Sequence, residues 1–489
     1  MSETSNKKIL SGIGWAYGER ILAQVISLIV SIILARLLDP AHYGIIAIVT
    51  VFISFLDAFV SGGFGNALVQ KKDADDLDFN TICWFSILVS IVLYLILFLA
   101  APSIEKFYDM DQLTAVTRIM GLRVIVSAFN SVQHAYVQRH MVFKRFFFAT
   151  LGGTLVSAVV GIVMAYRGFG VWALVAQYMT NSIIDTIVLR FTIDWNPKLE
   201  WSFVRLKSMM GFGLKMLGAT LVNTLQDNIR SLVVGKVFTK EDLAYYNQGK
   251  KYPATLMNNL VGSIQKVMFP AFSEFQQNRD HIKNVMRKSI RVSSFVLVPA
   301  VIGMIAVADT FILLFLTDKW APAIPYLRIL SLIYLTRTMN SIFQSSLLAI
   351  GKSGVNMFHE IVGSVLSLVL ICIGAFAMKS VMFIAWSYVI VMIVGTGIFI
   401  FFVAKYYGYR LNEILSDYMP FLLLSVLMGL IIYAIGRLNI NRFILLILQI
   451  VSGVAIYIAC SKVLKIKELD MCMAMVKKVM NKFRRQKTA

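Results

Sequence analysis

One long apolar run in the middle of the chain carries a stripe of polar side chains that could line a binding cavity. At about 100° per residue, the stripe covers about a third of a helix circumference. Its members are Lys215, Asn223, Gln226, Asp227 and Arg230. Ionisable side chains on membrane-length helices are costly unless they face protein or water. The stripe therefore predicts a polar cavity inside a helical bundle.

The cations within the apolar runs predict that this cavity binds an anion, with phosphate the obvious group. They outnumber the carboxylates there, and the planar guanidinium of arginine stays protonated when buried and offers paired donors to phosphate. The candidate substrate-binding residues are Arg118, Arg123, Lys215, Arg230, Lys250, Lys251, Arg328 and Arg337. Two alternatives stay open. Arg118 and Arg328 could extend outward to the membrane interface, and the deeper arginines could bridge helices.

Carboxylates within the apolar runs are candidates for taking up a coupling proton or cation, because a lone acidic group inside a membrane is expensive. The candidate ion-coupling residues are Glu19, Asp57, Asp185 and Asp227. Glu19 could instead pair with Arg20 at a helix end, and Asp57 could be a hydrogen-bonded structural residue. Asp227 could pair with Arg230 one turn later.

Composition indicates which elements position these side chains. Of the 489 residues, 58% are hydrophobic and 15% are charged, whereas a soluble protein carries about 25% charged residues. A window of about 19 residues predicts about fourteen helices, each long enough to cross a hydrocarbon core of about 30 Å. The second of these predicted spans is 43–69, and the last is 442–461. The predicted fold is an all-α polytopic membrane protein. No cleavable signal peptide precedes the first span, which would itself serve as the targeting signal.

The distribution of basic residues predicts the orientation of these spans. With both termini in the cytoplasm, Lys and Arg are roughly threefold more frequent inside than outside, as the positive-inside rule requires. This bias explains the net charge of +21 without a nucleic-acid partner. The basic tail from Lys477 to Arg485 is interpreted as an anchor to anionic lipid headgroups, with a nucleic-acid patch as the alternative.

An internal repeat predicts how the helices are grouped. When the sequence is aligned with itself at one constant offset, Arg118 falls on Arg328 and Asn130 falls on Asn340. A similar offset aligns the loop after the first predicted span with the loop after the seventh. The related spans are six helices apart and keep the same orientation. This pattern describes two six-helix lobes in parallel repeat, followed by two extra helices. The predicted domains are residues 1–200, 201–410 and 411–489, the last with the basic cytoplasmic tail.

Sequence signals for catalysis are weak. Asp73 and Asp75 have the spacing found in some sugar-nucleotide transferases, but no segment is long enough for a nucleotide-binding domain, and a solvated acidic loop is the simpler interpretation. The motifs G-x-S-x-G, H-E-x-x-H and GxxxxGK[ST] do not occur. The four cysteines are scattered, which predicts neither a disulfide framework nor a metal site. We therefore predict a protein that is not an enzyme and that needs no cofactor or metal.

Six stretches, in order along the chain, resemble one family of membrane proteins. They are LDPAHYG at 38–44, GFGNALVQKK at 63–72, YVQRHMVFK at 136–144, LAYYNQGKKYP at 243–253, VMFPAFSEFQ at 267–276 and LLAIG at 347–351. Together they resemble the polysaccharide transporter (PST) family of the multidrug/oligosaccharidyl-lipid/polysaccharide (MOP) flippase superfamily. The nearest members are Wzx-like O-antigen and colanic-acid-type exopolysaccharide translocases. The resemblance covers roughly residues 5 to 465 and implies a MATE/MOP-like fold.

The resemblance implies a flippase that moves an undecaprenyl-pyrophosphate-linked oligosaccharide, a repeat unit of O-antigen, capsule or exopolysaccharide, across the cytoplasmic (inner) membrane. It further implies alternating access coupled to an ion gradient. The implied partners are the lipid-linked oligosaccharide and membrane lipid, with a polysaccharide polymerase and chain-length proteins as further candidates. A cation-coupled multidrug antiporter of MATE type is the alternative, but a cavity for organic cations should be rich in carboxylates and aromatic rings. A membrane polymerase or ligase would need a larger external loop.

Overall fold

The computed structural model describes residues 22–71, 73–140, 142–274 and 278–474. These ranges contain helices and connecting loops and no strand. In chain order the helices are α1 (Leu22–Leu37), α2 (Pro40–Ser61), α3 (Phe64–Gln70), α4 (Asp76–Tyr108), α5 (Leu113–His140), α6 (Phe143–Tyr166), α7 (Val171–Thr192), α8 (Phe203–Val237), α9 (Lys240–Glu274), α10 (Arg279–Phe315), α11 (Ala323–Ala349), α12 (Ser353–Cys372), α13 (Val381–Tyr407), α14 (Leu411–Ile435) and α15 (Arg442–Val463). A 3₁₀ turn at Asp318–Trp320 precedes α11, α12 continues as a π-helix over Ile373–Ala377, and residues 467–474 are helical.

Eight of the described helices are long and apolar enough to cross a membrane. They are α2, α4, α5, α10, α12 with its π-helical continuation, α13, α14 and α15. α7, α8, α9 and α11 are also long, and each carries charged residues singled out in the sequence analysis. The predicted all-α membrane fold is confirmed, whereas the count of about fourteen spans stays a prediction.

The chain divides into two compact units, Met1–Ala244 and Tyr245–Ala489. In the first unit, α2, α4 and α7 pack on α5, and α6 packs on α7. In the second unit, α10 packs on α11, α14 and α15, and α13 packs on α11 and α12. The boundary between the units lies within α9. The predicted division at residues 200 and 410 stays a prediction.

The second predicted span, 43–69, is two helices in the structure, because α2 and α3 are separated at Gly62 and Gly63. α3 packs against α8. A Cβ atom on Gly63 would lie 2.5 Å from the carbonyl oxygen of Gly213 on α8, closer than real Cβ contacts. Glycine allows the two backbones to approach this closely, so the chain turns at a position that has no side chain.

We expect Gly63→Ala to destabilise the protein by about 1–3 kcal/mol, the usual cost of overpacking, because the added methyl group meets backbone atoms. Gly218→Ala on α8 is the matched control. Nothing lies within 4 Å of its Cβ position, and a helical Gly→Ala change stabilises by up to about 1 kcal/mol. Thermal unfolding in detergent measures both variants. An unchanged melting temperature for Gly63→Ala would show that α3 can move away from α8.

Candidate functional site

Three helices of the first unit, α2, α5 and α7, bring predicted site residues together. Arg123 on α5 donates from Nε to Ser182 Oγ on α7 at 2.9 Å, and its guanidinium lies 6.0 Å from the ring centroid of Tyr178. Asp57 on α2 lies near Ser127 and interacts electrostatically with Arg123. The charge of Arg123 is therefore offset within one unit. We call this group the N-unit polar cluster, and its members are Asp57, Arg123, Asn130, His134 and Asp185.

Asp185 on α7 is the second carboxylate of the N-unit polar cluster. Its Oδ2 accepts a hydrogen bond from Asn130 Nδ2 at 2.8 Å and lies 3.2 Å from His134 Nε2. The Asp185 side chain is 13% exposed. The Oδ1 atoms of Asp185 and Asp57 are buried and have no hydrogen-bond partner among the described residues. A buried polar atom without a hydrogen-bond partner is costly, so each of these two oxygens is a candidate acceptor for a further donor or a cation.

Arg118 and Arg328, which the repeat places at equivalent positions, both turn back onto the preceding helix. Arg118 donates from Nε to the carbonyl oxygen of Phe98 at 3.3 Å, and its guanidinium lies 4.2 Å from the Phe98 ring centroid. Arg328 donates from Nε to the carbonyl oxygen of Ile305 at 3.4 Å and pairs with Asp309 at 2.6 Å. These contacts give both arginines a role in holding neighbouring helices together.

The predicted residues on α8 lie in different environments. Lys215 and Asp227 are exposed, whereas Arg230 is only 5% exposed. The structure therefore brings Asp57, Arg123 and Asp185 together in the first unit and leaves Lys215 at an exposed position of α8. Glu19, the remaining ion-coupling candidate, lies outside the described residues.

The predicted residues of the second unit lie on α9 and α11. Lys250 is half-buried and Lys251 is exposed on α9. Arg337 on α11 is half-buried, and its guanidinium lies 5.6 Å from the ring centroid of Tyr334. The Tyr334 hydroxyl donates to Asn258 Oδ1 at 3.4 Å. Arg337 thus lies beside a tyrosine of α11 whose hydroxyl is bonded to α9.

A large apolar cavity, partly open to the outside, lies in the second unit, and lining residues such as Leu256, Ile450 and Val454 are exposed. Its volume is about 1040 Å³, and its walls are formed by α9, α10, α14, α15 and the segment 467–474, with Leu327 contributed by α11. On α10 the lining runs from Phe295 to Phe315, and Gln449 on α15 contributes an amide to an otherwise largely apolar wall. Hydropathy alone does not predict this cavity, because its lining residues resemble those that face lipid.

A set of ion pairs, which we call the Asp417 network, borders one end of this cavity. Asp417 on α14 is 1% exposed and accepts hydrogen bonds from Arg287 Nε at 2.7 Å and Arg291 Nη1 at 3.4 Å. It also accepts a hydrogen bond from the Tyr409 hydroxyl at 2.9 Å. Arg291 Nε donates to Glu468 Oε1 at 2.6 Å. Burial and the nearby Asp417 carboxylate raise the pKa of Tyr409, so its hydroxyl remains a donor.

Sequence reasoning missed the partners that complete these clusters. His134 lies one turn after Asn130, so a search for polar residues on the same face of α5 would have found it. The Asp417 network could also have been predicted from the sequence. Basic residues recur at every fourth position on α10 and acidic residues do so on α14, which gives the two helices complementary charged faces. These residues are Lys283, Arg287, Arg291, Glu413 and Asp417. Among the described residues no group of three His, Cys, Asp or Glu side chains could hold a metal ion.

A family model described as polysaccharide biosynthesis protein matches residues 33–325, which run from α1 into α11. The chain belongs to this family. The predicted resemblance to polysaccharide transporters is confirmed, and the match covers both the N-unit polar cluster and the whole of α10.

Two relatives in polysaccharide biosynthesis align with most of the chain. The teichuronic acid biosynthesis protein TuaB of Bacillus subtilis (strain 168) is 23% identical over 444 residues, which cover 88% of this chain and 89% of that protein. The lipopolysaccharide biosynthesis protein WzxC of Escherichia coli (strain K12) is 23% identical over 435 residues, or 88% of each chain. Among solved structures, the lipid II flippase MurJ in an inward closed conformation matches with a TM-score of 0.73 at 15% identity. The alignment covers 92% of this chain and 98% of MurJ, so this polysaccharide biosynthesis protein shares the MurJ fold.

Proposed function

We propose that the chain is a flippase that moves an undecaprenyl-pyrophosphate-linked oligosaccharide across the cytoplasmic membrane by alternating access. Membership of a polysaccharide biosynthesis family supports a sugar substrate. TuaB and WzxC are named for the biosynthesis of teichuronic acid and of lipopolysaccharide, which is consistent with a sugar-containing substrate. The observation that carries the proposal is the apolar cavity of the second unit, because a free sugar would have no use for it.

The dimensions of the apolar cavity suit an isoprenoid chain. Its lining on α10 extends from Phe295 to Phe315. At 1.5 Å per residue this stretch is about 30 Å long, the thickness of the hydrocarbon core of a bilayer. An isoprenoid chain in such a cavity would stay in an apolar environment along its length while the sugar headgroup moves. This supports a lipid-linked substrate over a soluble one.

The pyrophosphate of such a substrate needs cationic partners, because two negative charges cannot enter a low-dielectric site without compensation. We propose that cations of both units, with Arg123, Arg230, Lys250 and Arg337 foremost, contact the pyrophosphate during transport. The partial exposure of Arg123 and Arg337 supports this role. The ion pair and backbone contacts of Arg328 favour a structural role for that residue instead.

We propose that the N-unit polar cluster couples transport to uptake of a proton or a cation. The two buried oxygens without donors, on Asp57 and Asp185, support this assignment. His134 and Asn130 would respond to the charge of Asp185 through their contacts with Oδ2. Asp227 and Glu19 are further candidates from the sequence.

We also propose that both termini are cytoplasmic, that the protein resides in the inner membrane, and that a polymerase and chain-length proteins receive its product. Single cysteines introduced into a variant without native cysteines test the orientation. An impermeant maleimide added from outside should label positions 240 and 439 and should not label position 283. External labelling of position 283 would overturn the orientation.

A vesicle assay tests the flippase function directly. The purified protein is placed in liposomes with a fluorescent disaccharide linked to a short polyprenyl pyrophosphate, and an impermeant quencher reports the outer-leaflet fraction. The fluorescence of lipid in the inner leaflet is protected from the quencher. We expect this protected fluorescence to disappear only in vesicles that contain the protein. Movement of cationic dyes without movement of the lipid would instead favour the antiporter alternative. In cells, deletion should leave lipid-linked repeat units on the inner leaflet, and normal surface glycan in the absence of a paralogue would contradict the proposal.

A further inference from the structure

A second charged group lies near the apolar cavity, at the other end of α14 from the Asp417 network, and we call this the Tyr433 end. Arg328 and Tyr433 there directly follow the lining residues Leu327 and Ile432. Arg437, in the loop after α14, donates from Nη2 to the Tyr433 hydroxyl at 2.8 Å, and its guanidinium lies 5.1 Å from the Tyr433 ring centroid. The Arg328 guanidinium lies 5.5 Å from the same centroid. Two guanidinium groups therefore meet at one aromatic ring beside the cavity.

The Asp417 network and the Tyr433 end differ in charge balance. At the Asp417 network each cation has a carboxylate: Lys283 pairs with Glu413 at 2.9 Å, Arg287 with Asp417 at 2.7 Å, and Arg291 with Glu468 at 2.6 Å. The cations of this end are therefore already neutralised by partners within the chain.

At the Tyr433 end one guanidinium is in excess. Arg328 pairs with Asp309 at 2.6 Å, and Arg442 pairs with Asp318 at 3.3 Å. Arg437 forms no ion pair within the described ranges, and its hydrogen-bond partner, the Tyr433 hydroxyl, is neutral. Asp309 acts on Arg437 electrostatically but is already bonded to Arg328.

The geometry points to a phosphate-binding site at the Tyr433 end, formed by Arg437 and Tyr433 with Arg328 behind them. Resting on the proposed flippase function, this site holds the pyrophosphate of the lipid-linked substrate at the predicted external face while the isoprenoid chain occupies the cavity. A guanidinium binds phosphate through paired, charge-assisted hydrogen bonds. Arg437 is exposed and unmatched by a carboxylate, so it can accept this ligand without giving up an ion pair.

Photocrosslinking tests the site. The probe is a geranylgeranyl pyrophosphate that carries a diazirine on its first isoprene unit, and crosslinks are mapped by mass spectrometry on the full-length protein in detergent. We expect wild-type crosslinks around residues 432–446, and we expect Arg437→Ala to reduce them by about tenfold, the effect of losing a charge-assisted hydrogen bond. Arg437→Lys keeps the positive charge but loses the paired N–H donors of the guanidinium, so we expect an intermediate crosslinking yield. Arg167→Ala, which removes an exposed cation from the predicted external face of the first unit, should leave the yield unchanged.

Competition experiments separate the sources of the phosphate. Unlabelled geranylgeranyl pyrophosphate should abolish the crosslinks, whereas geranylgeraniol and inorganic pyrophosphate alone should compete poorly. Equal competition by phosphatidylglycerol would overturn the assignment in favour of an ordinary anionic lipid site. If Arg437→Ala crosslinks at the same positions and with the same yield as the wild-type protein, the phosphate-binding site is wrong. The proposed flippase function would not be affected by that result. A wild-type protein that crosslinks the pyrophosphate no better than the matching alcohol probe would count against both.

Discussion

Asp417→Ala is expected to destabilise the protein by about 2–4 kcal/mol. Removing one partner of a buried ion pair costs about 3–5 kcal/mol, and partial exposure of the arginines reduces this value. Asp417 is 1% exposed and connects Arg287 and Arg291 on α10 to α14. Its loss leaves two guanidinium groups and the Tyr409 hydroxyl without their shared acceptor. Thermal and denaturant unfolding in detergent measure the effect.

Glu413→Ala is the matched control for Asp417→Ala, because it removes a carboxylate one turn away on the same helix. Glu413 is 33% exposed and pairs with Lys283 at 2.9 Å. A pair in this setting contributes about 1 kcal/mol or less. Tyr409→Phe should cost about 1 kcal/mol, the value of one hydrogen bond. Equal losses for Asp417→Ala and Glu413→Ala would show that burial of Asp417 does not strengthen the network.

Asp185→Asn is expected to reduce transport in the vesicle assay by roughly tenfold or more while the melting temperature stays the same. Asparagine keeps the shape of the side chain and can still accept a hydrogen bond from Asn130, but it cannot take up a proton and is a weaker cation ligand. If binding of the coupling ion shifts the conformational equilibrium, loss of that binding removes the shift. Asp185 is therefore the residue of the N-unit polar cluster whose neutralisation should affect transport most clearly.

Glu200→Gln provides the control for Asp185→Asn, because Glu200 is an exposed carboxylate in the loop between α7 and α8. It should leave both transport and stability unchanged. Asp57→Asn tests whether the second buried carboxylate shares the role. Normal ion-dependent transport in Asp185→Asn would remove Asp185 from the coupling mechanism. A lower melting temperature together with lower transport would indicate a structural role instead.

Partition into the membrane is a local property, and local sequence was enough to predict it. The run 442–461, for example, is α15 at Arg442–Val463 in the structure, because an unbroken apolar stretch both inserts into lipid and satisfies its own backbone as a helix. The presence of intramembrane charges on α5, α7 and α8 was equally visible, since every ionisable residue interrupts an apolar run. The break at Gly63 was not predicted, because its cause is the Gly213 carbonyl on a helix far along the chain.

The pairing of charges depended on tertiary packing. Asp417 and Arg287 are 130 positions apart, and Asp185 and His134 are 51 apart. Helical periodicity shows which residues share a face but not which other helix that face meets, because the rotation of each helix is set by its contacts with its neighbours. The apolar cavity was hidden for a related reason. A side chain that lines a cavity and one that faces lipid have the same hydropathy, and only the packing of α9, α10, α14 and α15 distinguishes them.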